Sequence, residues 1–519
     1  MTTAAAARTV RLGTGPLDAA DVVSVARDGA LVALAPETAE EMRRGREVVE
    51  RLVDDSAAHY GISTGFGALA GRRIPPDARA RLQRGLVRSH AAGSGPEVER
   101  EVIRALMLLR LSTLVTGRTG VRPRTARVYA DMLNAGITPL VHEYGSLGCS
   151  GDLAPLAHCA LAAMGEGTVR DTDGDLMPAA QALDAAGIAP VDLAEKEGLS
   201  LINGTDGMLG MLVLALDDLR LLLRTADIAA AMSVEAQLGT DAAFADDLQA
   251  LRPHPGQSSS AGNLRALLAG SPMLERHRRA DCGCVQDAYS LRCTPQVHGA
   301  ARDTLDHAER VASRELASVI DNPVVTLDGR LASNGNFHGA PLSCVLDFLA
   351  ISVADVASIA ERRTDRALDP TRNHGLPAFL AADPGVDSGH MIAQYTQAAI
   401  VSELKRLAAP ASVDSIPSSA MQEDHVSMGW SAARKLRRAL DGLARVLAVE
   451  LYTSARALDL RAPLDPAPVT GAVRDGLRKT VPGPGPDRFL APEIEATLQY
   501  VVSGRAIADA EAEARRPLA

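Results

Sequence analysis

Hydrophobic residues recur at helical spacing through most of the second half of the chain. Within 436–451, leucines occur at positions i, i+4, i+7, i+11 and i+15, so they form one apolar stripe on a helix. They are Leu436, Leu440, Leu443, Leu447 and Leu451. The same periodicity fills four other segments, which are 206–237, 298–318, 341–365 and 388–408. Several segments exceed ~11 residues, the usual helix length, and this indicates a bundle.

The N-terminal part has shorter and more varied patterns. Thr9–Leu12 has the pattern of a strand, Glu101–Gly117 that of a helix, and 168–195 is rich in Asp, Gly and Pro, which is typical of a surface excursion. We therefore predict a mainly α fold, with a long central helix bundle and a smaller N-terminal mixed region. The predicted parts of this single integrated fold are an N-terminal region, a central bundle and a C-terminal loop with a helix, at 1–200, 201–480 and 481–519.

Composition excludes several classes of partner. The chain has 519 residues, of which 46% are hydrophobic and only 3% aromatic, so its core depends on Ala, Leu and Val. The net charge is −10, with acids and bases interspersed, and no basic stripe suits nucleic acid. The apolar run Gly207–Leu216 is about half of the ~20 residues that a membrane span requires. Met1–Val10 lacks the apolar segment of a secretion signal, so we expect no membrane partner and a cytoplasmic location.

Cysteine and lysine usage narrows the chemistry. The six cysteines are not spaced as a disulfide framework, and free thiols are typical of a reducing cytosol. Cys282 and Cys284 form a CxC pair without a second pair, so we predict no metal site. None of the four lysines stands in a setting typical of a pyridoxal Schiff base.

The segment Gly145–Leu153 reads GSLGCSGDL and has Cys149-Ser150-Gly151 at its centre. The nitrogen of Gly151 can attack the carbonyl carbon of Cys149, because glycine has no side chain to block the bend. Ring closure releases one water, and loss of a second water from Ser150 leaves a methylidene carbon. The product is an electrophile, whereas ordinary side chains supply acids, bases and nucleophiles. The alternative is a flexible glycine-rich turn, and the short motif alone does not decide between them.

Two further motifs carry side chains suited to proton transfer and ring recognition. His59–Gly67 contains Tyr60 among three glycines, which favour a mobile loop. A tyrosine acts as a base only if its pKa, ordinarily about 10, is lowered. In Arg88–Gly93, a neutral His90 can hydrogen-bond an imidazole. Without the Cys-Ser-Gly segment, a packed tyrosine and a surface histidine would be the simpler interpretations.

Four more motifs lie downstream. They are Leu201–Asp206 with Asn203, Val285–Cys293 with Gln286, Tyr289 and Arg292, Asn334–Gly339 with Phe337, and Met421–Met428 with Glu423. The three polar residues of the second motif recur at steps of three, as on one helix face or in a run of tight turns. An arginine fork matches a carboxylate, because two parallel N–H donors meet two oxygens. Alternatively, Asn203 belongs to a plain turn, and Glu423 is a solvent-facing carboxylate at a helix N-terminus.

In this order, over about residues 55 to 490, the motifs resemble those of the histidine and aromatic amino acid ammonia-lyase family. That family makes a methylidene-imidazolone from Ala-Ser-Gly, whereas this chain has Cys149 first. A small Cys is compatible with this chemistry, because its side chain becomes a substituent beside the ring. Ala288 and Thr294 also depart from the Pro and Gln that family members often carry. The sequence of His142–Gly151 is most similar to that of actinobacterial members that act on histidine.

The resemblance implies non-oxidative deamination of L-histidine to trans-urocanate and ammonia, the first step of histidine degradation. The cofactor would be a methylidene-imidazolone formed autocatalytically from Cys149, Ser150 and Gly151, with no external cofactor and no metal. The implied catalytic residues are Tyr60 as base, Ser150, and Asn203 and Tyr289 as supports of the electrophile. The implied substrate-binding residues are His90 and Glu423 for the imidazole, Arg292 for the carboxylate, and Gln286 and Phe337 for the pocket shape.

The resemblance also implies a homotetramer whose active sites are shared between chains. The electrophile loop would lie in the N-terminal region. Two alternatives remain. A tyrosine or phenylalanine ammonia-lyase or aminomutase would keep the electrophile and change the residues that contact the ring. A non-catalytic helical scaffold would keep Cys-Ser-Gly unmodified.

Overall fold

The computed structural model describes residues 8–279 and 285–519, and the Cys282–Cys284 pair lies outside these residues. The fold is mainly helical, as predicted. The helices are α1 Ala19–Ala26, α2 Pro36–Val53, α3 Pro76–His90, α4 Arg100–Leu114, α5 Pro123–Asn134, α6 Leu153–Ala163, α7 Ala179–Ala185, α8 Glu197–Ile202, α9 Asp206–Ala236, α10 Asp246–Ala250, α11 Pro255–Leu268, α12 Pro272–Arg279, α13 Tyr289–Arg292, α14 Thr294–Leu316, α15 Ala340–Leu368, α16 Met391–Leu407, α17 Gly429–Asp459, α18 Pro468–Arg478, α19 Ala491–Val502 and α20 Arg505–Ala514. Single 3-10 turns lie at Gly67–Leu69, Ala242–Phe244, Ala378–Leu380 and Ser419–Met421.

The strands are short and form small sheets. They are β1 Thr9–Leu12, β2 Leu31–Leu34, β3 Ser94–Glu97, β4 Thr138–Pro139, β5 His142–Tyr144, β6 Thr168–Arg170, β7 Leu176–Pro178, β8 Val324–Val325 and β9 Leu331–Ala332. β1 and β2 are parallel, with Thr9 opposite Leu31, and α1 forms the crossover between them. The other pairings, β3–β5, β4–β6–β7 and β8–β9, are antiparallel. The strand predicted at Thr9–Leu12 is therefore confirmed, and the predicted excursion at 168–195 contains β6, β7 and α7.

The described chain divides into two compact units, each built from three segments. The first unit comprises the residues up to Leu214, Glu309–Asp347 and Pro410–Arg434. The second comprises Ala215–Ala308, Phe348–Ala409 and Lys435–Ala519. The domain bounds predicted at residues 200 and 480 follow chain order and remain a prediction.

In the second unit, buried polar groups join the long helices. Arg363 of α15 donates to both carboxylate oxygens of Glu450 on α17, and Ser233 of α9 donates to the same carboxylate at 2.8 Å. His298 of α14 contacts Asp227 of α9 at 2.7 Å. All five side chains are buried, so each charge must be matched by a partner on a neighbouring helix. These contacts align four long helices as the bundle that the periodicity predicted.

In the first unit, a buried arginine of α4 holds two chain segments together. Arg110 is fully buried and donates to the carbonyl oxygens of Asn203 and Ile320, both at 2.8 Å. Asn203 lies between α8 and α9, and Ile320 lies between α14 and β8. Almost every residue of α4 is buried, so this helix provides a rigid base for both segments.

Two helical stretches are long and apolar enough to cross a membrane by length and composition, Glu197–Ala236 and Ala340–Leu368. The apolar window of the first is entirely buried within the protein and that of the second is 61% buried. The core helices of a globular protein meet the same criterion. The sequence prediction considered only Gly207–Leu216, whereas α9 continues to Ala236.

Candidate active site

The Cys149-Ser150-Gly151 segment lies in the loop between β5 and α6, and Asp152 anchors this loop. The Asp152 amide donates to the carbonyl oxygen of Gly204 at 2.7 Å. Its carboxylate accepts from the Ser146 hydroxyl and from the Met208 amide, both at 2.9 Å. The side chain is fully buried, and this burial raises the pKa of Asp152 to about 7. The loop is thus tied to the beginning of α9.

Gly151 stands where no other residue fits. Its φ of +77° is in the left-handed region, and a Cβ would lie 2.0 Å from the carbonyl oxygen of Gly204. Gly148 is held from the other side, because its carbonyl accepts from the Gly339 amide at 3.1 Å and from the Ser427 hydroxyl at 2.6 Å. A tight bend at glycine is what the condensation requires, so these residues fit the formation of a methylidene-imidazolone.

Two cavities of the first unit meet at Ser150, with volumes of about 790 and 510 Å³. Both are lined by Tyr60, Gly67, Ser150, Asn322 and Glu423. The larger cavity is also lined by His90 and Asn203, and the smaller by Cys149 and Phe337. Seven of the predicted site residues therefore surround one place. They are Tyr60, His90, Cys149, Ser150, Asn203, Phe337 and Glu423.

Glu423 is held by side-chain donors and by a strained turn. Its carboxylate accepts from the Cys149 thiol at 3.1 Å, the Ser150 hydroxyl at 3.2 Å and the Ser418 hydroxyl at 2.9 Å. The backbones of Ser418 and Glu423 also pair with each other. Three consecutive residues between them, Ser419 to Met421, have positive φ. Such strain in residues other than glycine clusters at functional sites, and here it lies in the turn that carries Glu423.

Tyr60 is fixed within its loop, but its surroundings do not activate it. Its hydroxyl accepts from the Gly67 amide at 3.1 Å, and its ring meets Phe66 edge to face. Burial raises the pKa of Tyr60 and the Glu423 charge raises it further, while the Gly67 hydrogen bond lowers it. A base requires a lowered pKa, so these neighbours do not themselves prepare Tyr60 for this role.

His90, the last residue of α3, has a defined tautomer. Its Nδ1 lies 2.9 Å from the Leu86 carbonyl oxygen, which only accepts, so Nδ1 carries the proton and Nε2 is an acceptor. Burial lowers the pKa of His90, although the Leu86 carbonyl and the Glu423 carboxylate oppose this shift. The larger cavity is therefore lined by a neutral imidazole with one acceptor nitrogen.

Asn203 has a fixed amide orientation. Its Nδ2 donates to the carbonyl oxygen of Asn322 at 2.8 Å. A carbonyl only accepts, so the remaining atom is Oδ1. This Oδ1 is buried and has no hydrogen-bond partner in the described part of the chain. Asn203 therefore lines the larger cavity, while its unused acceptor is covered by the protein.

Gln286, Tyr289 and Arg292 belong to the second unit and line neither of these cavities. Tyr289 and Arg292 form the short helix α13, and the Arg292 guanidinium lies 4.7 Å from the centroid of the Tyr289 ring. Gln286 is exposed, and Tyr289 is 71% exposed. The predicted carboxylate-binding group is therefore not among the residues that line the Ser150 cavities.

Sequence reasoning missed three residues that shape the site. Asn322 orients Asn203, Ser418 contacts Glu423, and Arg110 fixes the backbone of Asn203. The Asn322-Pro323 pair indicates a turn, but nothing in it predicts contact with a residue 119 positions away. Ser418 lies just before the motif Met421–Met428. The sequence does not distinguish Arg110 from the other polar residues of an amphipathic helix.

Comparison with known proteins agrees with this geometry. The family model for aromatic amino acid lyase matches residues 17–479. The chain is 64% identical over 506 residues to a histidine ammonia-lyase of Streptomyces griseus, covering 97% of this chain and 98% of the relative. The structure of histidine ammonia-lyase from Trypanosoma cruzi superposes with a TM-score of 0.89 at 36% identity, covering 97% of this chain and 95% of that one. A tyrosine aminomutase from Streptomyces globisporus superposes with a TM-score of 0.93, also at 36% identity, covering 98% and 100%.

The chain belongs to the aromatic amino acid lyase family. It is an enzyme of the ammonia-lyase class, and its helical fold is that of the solved relatives.

Proposed function

We propose that this chain is a histidine ammonia-lyase, which converts L-histidine to trans-urocanate and ammonia without oxidation. The proposed prosthetic group is a methylidene-imidazolone formed from Cys149, Ser150 and Gly151. The observation that carries the substrate assignment is the pair of acceptors around Ser150. Glu423 brings a carboxylate, and His90 brings a neutral imidazole nitrogen.

These acceptors match a protonated imidazole ring, which has two N–H donors, and not a phenyl ring, which has none. A charged carboxylate beside a bound phenyl ring would be desolvated without gaining a hydrogen bond from that ring. Such unmatched polar groups are what allow a site to reject an analogue strongly. The relatives named as histidine ammonia-lyases support the same assignment.

The chain's own residues then have distinct roles. When formed, the methylidene-imidazolone supplies the electrophilic carbon that takes up the substrate amine. Asn203, which lines the larger cavity, would support the electrophile and the developing charge. Arg292 would bind the substrate carboxylate with Tyr289 beside it, and Gln286 and Phe337 would shape the pocket.

Tyr60 is assigned as the base that removes the β-proton. In the free chain, burial and the Glu423 charge both raise its pKa. A protonated imidazole bound at Glu423 would place a positive charge near Tyr60 and so lower this pKa. Substrate binding thus favours the deprotonated tyrosine that the reaction requires.

The principal test combines intact mass with a substrate comparison. The purified protein should weigh two waters less than its translated sequence, and Ser150→Ala should have the plain mass of its own sequence. The wild type should produce urocanate absorbance from L-histidine and far less product from L-tyrosine or L-phenylalanine. Faster turnover of either of these would favour the alternative lyase or aminomutase, and an unmodified inactive chain would favour a scaffold protein.

Assembly and location are further parts of the proposal. We propose a cytoplasmic homotetramer with shared active sites and no nucleic acid or membrane partner. In such an assembly, Arg292 and Tyr289 would act at the Ser150 cavities of another chain. The assignment of these two residues to the second unit is consistent with that arrangement. Sedimentation velocity would test the tetramer.

A further inference from the structure

The hydrogen bonds of Glu423 are divided unequally between its two carboxylate oxygens. Oε2 accepts from the Cys149 thiol at 3.1 Å and from the Ser418 hydroxyl at 2.9 Å. Oε1 accepts from the Ser150 hydroxyl at 3.2 Å. The Ser150 hydroxyl is the one donor of these three that dehydration would remove. Formation of the methylidene-imidazolone would therefore free Oε1 and leave the donors of Oε2 in place.

The Cys149 thiol remains protonated at neutral pH. Burial raises the pKa of Cys149 to about 12, and the neighbouring Glu423 carboxylate raises it as well. A protonated thiol is a weak hydrogen-bond donor and a poor nucleophile. Cys149 can therefore stabilise an adjacent carboxylate without competing for an electrophile.

We propose that Cys149 is a positioning residue for substrate recognition, whose thiol holds Oε2 of Glu423 so that the freed Oε1 meets the substrate imidazole. This inference rests on the proposed function and deepens it. An alanine has no such donor, so Cys149 provides a contact that Ala-Ser-Gly would lack. Ser418 acts on the same oxygen from the opposite segment, and the pair prevents rotation of the carboxylate away from the cavity.

The test measures binding without turnover. Ser150→Ala removes both the electrophile and the hydroxyl on Oε1, so the full-length Ser150→Ala protein serves as the parent. Titration calorimetry gives its Kd for L-histidine, with L-phenylalanine as the comparison ligand. Cys149 is then replaced in this parent by Ala, Val and Ser. Alanine removes the donor and volume, valine keeps an apolar volume without a donor, and serine restores a donor.

We expect the Kd for L-histidine to rise about 3- to 10-fold with Cys149→Ala and Cys149→Val, because one weak hydrogen bond to a charged group is lost. Cys149→Ser should stay within about twofold of the parent, and binding of L-phenylalanine should not change in any variant. Ser418→Ala should weaken histidine binding similarly. Cys159→Ala, at a buried cysteine lining neither cavity, is the matched control and should have no effect.

Three outcomes would overturn the inference. In the first, the Kd for L-histidine is the same with Cys, Ala and Val at position 149. In the second, Cys149→Ser binds L-histidine as weakly as Cys149→Ala does. In the third, the Kd values for both ligands rise equally, as a general packing defect would cause. If Cys149→Ala does not fold, the comparison of Cys149→Val with Cys149→Ser decides. A parent that does not prefer L-histidine to L-phenylalanine would instead contradict the proposed function.

Discussion

Glu423→Gln tests the central electrostatic feature of the site. An amide keeps the shape of the side chain, but it replaces one acceptor oxygen by a donor and removes the charge. The carbonyl oxygen of Gln can keep the two donors now on Oε2, from Cys149 and Ser418. The NH₂ group then replaces Oε1 and faces the cavity, where the substrate imidazole also presents an N–H.

The expected loss follows from this single exchange. A hydrogen bond to a charged group contributes about 1.5–3 kcal/mol, so kcat/KM for L-histidine should fall about 10- to 150-fold. The kcat/KM for L-phenylalanine should fall less or rise, because a phenyl ring has no N–H to lose and burying an amide costs less than burying a charge. The specificity ratio between the two amino acids is therefore the quantity to measure.

The assay is steady-state absorbance of urocanate and cinnamate, with intact mass confirming that both proteins have matured. Asp424→Asn is the matched control, since it removes the same charge from the next residue, which lines only the smaller cavity. This control should keep the specificity ratio within about threefold of wild type. An unchanged ratio in Glu423→Gln, or an equal change in both variants, would refute the imidazole-binding role of Glu423.

Three other predictions concern the anchored loop and the two units. Asp152 has a pKa raised from 3.8 to about 7, so between these values the folded chain keeps a proton that the unfolded chain loses. The contribution of Asp152 to stability should therefore fall by about 3 kcal/mol from pH 4 to pH 7, and Asp152→Asn should remove this part of the pH dependence in urea denaturation. Gly151→Ala should lower Tm and prevent the loss of two waters, so that the protein has the mass of its translated sequence. Gly187→Ala, at a similar φ of +68° but in open space, should lower Tm much less. Mixing Ser150→Ala and Arg292→Ala chains should restore about one quarter of the activity if each site combines two chains, and none if each site uses one chain.

The sequence was most informative where the periodicity was long. The patterns at 206–237 and 341–365 correspond to α9 and α15, because apolar residues recur there every three or four positions over many turns. Boundaries were less certain: α14 begins at Thr294, four residues before its pattern at 298. The strand pairings of β4, β6 and β7 could not be predicted, since two- and three-residue strands carry almost no periodicity.

For the site, the sequence predicted which residues matter but not how they are held. Asn203 and Glu423 were recognisable from their motifs. Their orientations depend on Asn322 and Ser418, whose contacts arise only from tertiary folding. The direction of the Tyr60 pKa was also beyond the sequence, because it results from burial and from a carboxylate 363 positions away. Local motifs therefore indicated the chemistry, and distant contacts determine its geometry.

The contacts of the Cys-Ser-Gly loop have a consequence for when the enzyme acquires its reactivity in the cell. The loop is closed by Gly204, Gly339 and Ser427, and the last of these partners is synthesised 279 residues after Gly148, whose carbonyl it contacts. A ribosome must therefore release most of the polypeptide before the bend is fully enclosed. During translation the segment is an ordinary peptide. On the proposed function, the electrophile would form only after these distant segments have folded around Ser150.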